Sequence, residues 1–265
     1  MQTIDISYLS LLAIYALLVV PLLLCWLLRL DLIKTTCIAV VRMSVQLGLV
    51  AVYLEVIFRL NNPGLNCAWI LAMILIANVN IIRSAGLRAR RFFFPLLAGV
   101  SAGTLLVVVF FVCIAVQPQP FYDARYLIPI TGMVLGNCLR ANVISLERFY
   151  AAIRKREKEF LTYLLMGATL HEAVRPYARE AIRPALAPTI STMATLGLVS
   201  LPGMMTGQIL GGSLPMVAIK YQIAIMIAIF CATVITATVN IGLSLRVAFN
   251  EYEVLDKQIF ADGTL

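Results

Sequence analysis

The chain has 265 residues, of which 62% are apolar and 13% are charged; this charged share is about half that of an ordinary soluble domain. A soluble protein of this size could not hide so much hydrocarbon, because most of its surface has to face water. The composition excludes a soluble enzyme, a disordered chain and a disulfide-stapled secreted module. It predicts an all-α polytopic membrane protein. The net charge of +8 is explained by basic loops on the cytoplasmic side rather than by nucleic-acid binding.

Seven apolar stretches stand out, and several of them have the ~20 residues that a transmembrane helix needs. In chain order they cover residues 6–28, 36–58, 67–83, 93–116, 126–146, 187–207 and 216–245. They predict about seven transmembrane helices in a single transmembrane domain, residues 1–265, that is surrounded by the lipid bilayer.

The basic residues predict the orientation of these helices. If the N-terminus lies outside, all lysines and arginines except Arg59, Arg125 and Lys220 fall on the inner face or near it. Positively charged loops stay in the cytoplasm. The sequence therefore predicts an N-out, C-in, multi-pass protein of the inner or plasma membrane.

Residues 147–183 interrupt the membrane character, because they carry 13 charged side chains and cannot lie in lipid. Glu147–Glu159 are predicted to continue the fifth span as a helix into the cytosol. A second helix follows and leads into the sixth span. Pro176 and Pro184 fit poorly inside this second helix and predict a kink.

A short apolar segment joins these two cytosolic helices and ends at Leu164–Met166. Gly167 suits a helix C-terminus, where the chain needs a left-handed residue, and Ala168 comes next. Thr169 and Glu172 match a capping box that opens the following helix. An apolar tip between charged flanks marks a protein contact; the alternative is that the tip folds back onto the membrane surface.

Motifs for enzyme chemistry or ATP binding are absent from the sequence. No lysine follows a glycine, so there is no Walker A loop. The energy for any transport would come from a partner or from an ion gradient. Gradient-driven carriers use acidic residues within the membrane. Glu55 is the one clear candidate, and an ion pair with Arg59 one turn later explains it equally well.

Several polar side chains lie inside the predicted spans. Arg42 lies about two turns inside the second span, and Gln46 lies one turn deeper on the same face. They are interpreted as a bundle anchor or as the polar lining of a pathway; the alternative for Arg42 is snorkelling to the inner face. Asn78, Asn80 and Asn137 are further candidates for buried polar groups, and hydrogen bonds between helices would explain them too.

Glycines spaced four apart predict close approach of helix backbones. Such spacing occurs in three sets: Gly99 and Gly103; Gly132 and Gly136; and Gly203, Gly207 and Gly211.

The third glycine set is directly preceded by Pro202, and Met204 and Met205 follow Gly203. Counted from residue 187 at ~1.5 Å per residue, the Pro-Gly pair lies ~22 Å across the membrane. A break at that depth is tolerated only against protein or a water-filled cavity. We therefore predict a broken helix beside a substrate path, with Gly207 packed closely against another helix. The alternative is the outer end of the span.

Four segments carry a resemblance to a known family. They are Gly197–Gly207, Ala218–Ile223, Ile128–Asn137 and Ala181–Thr189, and Arg42 and Gln46 fall where the family pattern has an arginine and a glutamine. Together they resemble the FetB family of ABC-transporter permeases, over nearly the whole chain.

The resemblance implies a permease subunit that forms a homodimer and pairs with two copies of a cytosolic ATPase subunit, which binds ATP and Mg. The family is linked to iron export in bacteria, and a plant relative to aluminium tolerance and a nucleotide sugar. The segment Leu164–Thr169 resembles the coupling helix of ABC permeases. Tyr177 stands where the importer pattern has isoleucine, so the motif does not support import.

The cargo is left open by the residues. Iron and hard cations prefer carboxylates or imidazoles, and the spans offer almost none, so no metal ligands are assigned. Two other classes of function remain alternatives: a membrane scaffold or receptor without transport, and a gradient-driven carrier.

Overall fold

The computed structural model describes residues 7–250 and 252–260, which form helices without any strand. The helices are α1 (Tyr8–Ala16), α2 (Val19–Leu27), α3 (Ile33–Leu60), α4 (Pro63–Ser84), α5 (Ala89–Phe110), α6 (Ala124–Lys155), α7 (Glu157–Leu165), α8 (Leu170–Thr195), α9 (Gly203–Leu210) and α10 (Pro215–Ala248). A π-helical segment, Phe111–Val116, extends α5, and a 3-10 turn, Lys257–Ile259, follows α10. The predicted all-α membrane fold is confirmed. The two chain ends, whose sides of the membrane were predicted, lie outside the described residues.

Six helical segments of the described chain are long and apolar enough to cross a membrane. They are Leu9–Leu27, Ile33–Leu60, Pro63–Ser84, Ala89–Val116, Ala124–Lys155 and Pro215–Ala248. The seventh predicted span, residues 187–207, is not a continuous helix. It is divided between the end of α8, a turn and α9, because Gly197 and Pro202 interrupt the helical conformation.

The turn between α3 and α4 is held by asparagine side chains. Asn61 ends α3 in the left-handed conformation, and Asn62 caps α4 by accepting a hydrogen bond from the Gly64 N–H at 2.8 Å. The Asn61 side chain also accepts from the backbone N–H of Ala124 at 3.0 Å. This end of the α3–α4 hairpin is thereby fixed to the start of α6.

The largest hydrophobic cluster, here called the main core, joins α4, α5, α6, α7, α8 and α10. Its largest fully buried side chains are aromatic, among them Phe92, Phe149, Tyr150, Phe160 and Tyr177. Burying a large side chain contributes about 1.5–3 kcal/mol. The main core therefore fixes α7 and the first half of α8 firmly to the membrane helices.

Close packing of α5 against α10 follows from the first glycine pair. A Cβ placed on Gly99 would lie 2.0 Å from Asn240 Oδ1, and one on Gly103 would lie 2.6 Å from Thr236 Cγ2. The predicted close approach is confirmed for this pair. In the second set, a Cβ on Gly132 would be 3.3 Å from the Met73 methyl, whereas one on Gly136 would meet no atom within 4 Å.

Helix α8 is continuous through three prolines, Pro176, Pro184 and Pro188. Each proline removes one backbone hydrogen bond. Contacts on the buried face compensate: Ala173, Tyr177 and Ala181 all belong to the main core.

The chain after α10 turns back onto the bundle as a C-terminal strap, residues 252–260. The Arg88 N–H donates to the Ile259 carbonyl at 2.8 Å, and Arg91 forms an ion pair with Asp256. That arginine lowers the pKa of the Asp256 carboxyl. Leu255 and Ile259 are buried in the main core. The strap thus ties the beginning of α5 to the helices that carry α7.

Candidate coupling surface and transport pathway

Helices α7 and α8 form a hairpin whose turn has the predicted local structure. Gly167 adopts φ +88°, and Thr169 caps α8. The Thr169 N–H donates to the Glu172 carboxylate at 2.9 Å, and the Glu172 N–H donates to Thr169 Oγ1 at 3.4 Å. Hydrogen bonds from the Thr169 backbone and then its side chain lower the pKa of the Glu172 carboxyl. Both the left-handed glycine and the capping box are confirmed.

The tip of this hairpin exposes two apolar side chains, Leu165 at 87% and Met166 at 80%. The expectation of a three-residue apolar tip is wrong at Leu164, which turns inward and packs against the main core. Successive helix positions point about 100° apart, so the last turn of α7 buries Leu164 and exposes its neighbours. Ala168 is half-buried behind the turn.

The hairpin is anchored at its base. Phe160 is 1% exposed, and its ring lies 6.3 Å from the Tyr177 ring of α8 and 5.6 Å from the Phe249 ring after α10. The Arg156 guanidinium lies over the Tyr177 ring at 4.7 Å and pairs with Glu180. The base of the hairpin is therefore packed against α8 and against the residue that follows α10 through aromatic rings.

The helix break lies between Thr195 and Gly203. Gly197 adopts φ +82°, Pro202 is the N-cap of α9 and Gly203 is its first residue. In the intervening turn, Leu198 is 89% exposed.

Helix α9 is only loosely covered by the rest of the chain. Met204 packs against a second cluster formed by α5, α6 and α10, and Met205 is half-buried. A Cβ on Gly203 or Gly207 would meet no atom within 4 Å. The expected close packing of Gly207 against another helix is absent among the residues that the structure describes, because no helix of this part approaches that face.

Arg42 and Gln46 line a groove of about 830 Å³ between α3 and α4. Both side chains are exposed, so the prediction that they are buried polar groups is wrong. Helix α3 contacts α4 near its far end, where the Tyr53 and Trp69 rings are 4.1 Å apart. Toward the start of α3 and the end of α4 the two helices separate, and Ile76 of α4 lines the wall of the groove that faces α3.

The predicted buried asparagines have three different environments. Asn78 is fully buried and donates to the Phe93 carbonyl of α5 at 2.9 Å. Asn137 is half-buried, donates to the Met133 carbonyl of its own helix and borders a cavity of about 90 Å³. Asn80 is exposed, so its prediction is wrong; its position on α4 faces away from the bundle.

The profile of an uncharacterised protein family, UPF0014, matches residues 8–249. The chain belongs to the UPF0014 family. It is 36% identical over 214 residues to a UPF0014 membrane protein of Synechocystis, covering 81% of this chain and 83% of the relative.

Two further relatives of this UPF0014 chain have informative names. The probable iron export permease protein FetB of Escherichia coli is 31% identical over 223 residues, 84% of each chain. The protein ALUMINUM SENSITIVE 3 of Arabidopsis thaliana is 31% identical over 228 residues, 84% of this chain and 80% of the relative. The predicted family resemblance is confirmed. No solved structure matches the chain.

One polar network of the UPF0014 chain was not predicted. Asn240 of α10 donates to Asn142 Oδ1 of α6 at 2.7 Å, and Asn142 donates to Thr236 Oγ1 at 2.9 Å. Tyr150 donates to Ser244 at 2.6 Å two turns away. These residues stand out in the sequence as polar groups within apolar runs, but their pairing depends on the helix arrangement.

Metal-binding side chains do not gather in the described part of the UPF0014 chain. Over residues 7–250 and 252–260, no group of three or more histidine, cysteine, aspartate or glutamate side chains is placed to hold a metal ion.

Proposed function

We propose that the chain is the permease subunit of an ABC transporter that exports iron or a metal-related solute. In this proposal two copies assemble with two copies of a cytosolic ATPase subunit, which holds ATP and Mg. The family membership and the name of the Escherichia coli relative support a permease with an iron-related cargo.

The exposed tip of the α7–α8 hairpin carries this proposal. Leu165 and Met166 are the sort of side chains that a groove of another protein buries, at about 1.5–3 kcal/mol each before ordering costs. Their base is packed into the main core through Phe160. A docked ATPase could therefore move α8 and α10 by moving the tip.

In this proposal the pathway runs along surfaces that a single chain leaves open. The most apolar 18-residue stretches of the segments Leu9–Leu27 and Ile33–Leu60 contain no buried residue. The α9 face bearing Gly203 and Gly207 is also uncovered. A second copy packed against these surfaces would enclose a path lined by α3 and by the α8–α9 break.

Co-purification of the ATPase tests the proposal. We expect Leu165→Asp to lose the ATPase subunit, because a carboxylate cannot be buried cheaply in an apolar groove. Gly167→Val should have the same effect or uncouple ATP hydrolysis from transport, since a β-branched residue is strained at positive φ.

Leu214→Asp is the matched control, because it places the same charge on a leucine that is 71% exposed in the loop beside Gly212, which is predicted to lie on the opposite side of the membrane. It should retain the ATPase. Normal ATPase binding and normal coupled transport in both hairpin variants would contradict the proposal. Absence of any ATPase from the wild-type preparation would favour the scaffold alternative.

A further inference from the structure

The α3–α4 groove carries a positive charge deep in a membrane span. Counted from residue 36, the predicted start of the second span, Arg42 lies ~9 Å and Gln46 ~15 Å along the helix at ~1.5 Å per residue. Gln46 is therefore near the middle of a bilayer whose hydrocarbon core is ~30 Å thick. Charged groups at such depth face a water-filled cavity, a partner or a substrate pathway.

The positive charge of Arg42 is not neutralised by a carboxylate in the groove. No carboxylate is among the residues that line the groove. Arg91, Arg125 and Arg156 form ion pairs with carboxylates, whereas no ion pair joins Arg42 to a carboxylate of the described residues. On the predicted cytosolic side, Lys34 lies at the start of α3 with Asp31 close to it, and Arg83 lies at the end of α4.

The chemistry of the lining favours one class of ligand. A guanidinium donates two parallel hydrogen bonds to a carboxylate or phosphate group, and the Gln46 amide adds a donor one turn away. The Trp69 and Tyr53 rings give the groove an apolar wall. A bare metal cation would find a like charge and no anionic ligand in this groove.

We propose that the α3–α4 groove binds an anion carrying carboxylate or phosphate groups, and that Arg42 recognises it. This inference rests on the proposed function in one respect: the bound anion is the cargo. A metal would then be carried as an anionic complex rather than as a free cation.

Tryptophan fluorescence can report binding in the groove directly. The chain has two tryptophans, Trp26 and Trp69, and Trp69 lines the groove. In a Trp26→Phe background, Trp69 emission is titrated with three probes: a gallium–citrate complex, inorganic pyrophosphate and Mn²⁺ alone. We expect both anions to change the emission saturably and Mn²⁺ to have no effect. The stronger of the two anions indicates whether the cargo is a metal chelate or a phosphate compound.

Arg42→Gln should weaken anion binding by about tenfold or more, since a hydrogen bond to a charged group is lost. Arg42→Lys should restore part of the affinity. Arg59→Gln, on the same helix but outside the groove, is the control and should bind as the wild type does.

Equal anion affinity in Arg42→Gln and Arg59→Gln would overturn the proposal, as would binding of Mn²⁺ without binding of the anions. If Arg42→Gln does not fold, the wild-type preference for anions over Mn²⁺ still decides. The titration needs no ATPase subunit, so its result is independent of whether the ATPase co-purifies.

Discussion

Replacement of Gly99 by alanine should destabilise the membrane domain. The new Cβ would lie 2.0 Å from Asn240 Oδ1 and 2.9 Å from Asn240 Cγ. Asn240 cannot simply rotate away, because its side chain donates to Asn142 at 2.7 Å. Overpacking costs about 1–3 kcal/mol, and a lost hydrogen bond between membrane helices costs about 0.6 kcal/mol. We therefore expect a loss of roughly 2–4 kcal/mol.

Gly136→Ala is the matched control, since a Cβ there meets no atom within 4 Å. It should be neutral or slightly stabilising, because alanine is the better helix former by about 1 kcal/mol. Thermal unfolding of the purified proteins in detergent, followed by circular dichroism, measures the difference. The double variant Gly99→Ala with Asn240→Ala should recover part of the loss. Equal stability of the two single variants would refute the close packing of α5 against α10.

Two further predictions concern topology and the pathway. After replacement of the six native cysteines, a cysteine at Gly212 should react with an impermeant reagent from outside, whereas one at Glu157 should not; reversed labelling would contradict the N-out orientation. Gly203→Leu should reduce transport, because it places a bulky side chain in the proposed pathway at the first residue of α9. ATPase binding should stay normal, since no atom of the described residues lies within 4 Å of the added Cβ. Full transport by this variant would remove α9 from the pathway, and loss of expression would point to a purely structural role.

Local sequence signals predicted much of the hairpin. The Thr169–Glu172 spacing and Gly167 specify a helix end and a helix start within a few residues, so tertiary contacts hardly alter them. The inward turn of Leu164 could not be predicted in the same way. It depends on where α7 begins, and Arg156 sets that start by leaving the helical conformation after α6.

The long-range contacts could not be predicted from the sequence. The Gly99–Gly103 spacing predicted close packing but not α10 as the partner. The stretch 187–207 has the composition of a span, yet Gly197 and Pro202 divide it. The C-terminal strap has no apolar periodicity that would have predicted its position. Leu255 and Ile259 are held in place by tertiary contacts with the main core. The groove beside Arg42 likewise exists only because α3 and α4 diverge.

The central claim is that energy enters through the tip of the α7–α8 hairpin. Photo-crosslinking tests it most directly: a benzophenone amino acid replaces Leu165, which is 87% exposed, in membranes that contain the native ATPase. We expect a covalent product with the ATPase subunit whose yield changes when ATP is added. The same amino acid at Leu198 should give no such product. Crosslinking of the ATPase from position 198 but not from position 165, or from neither, would contradict the account.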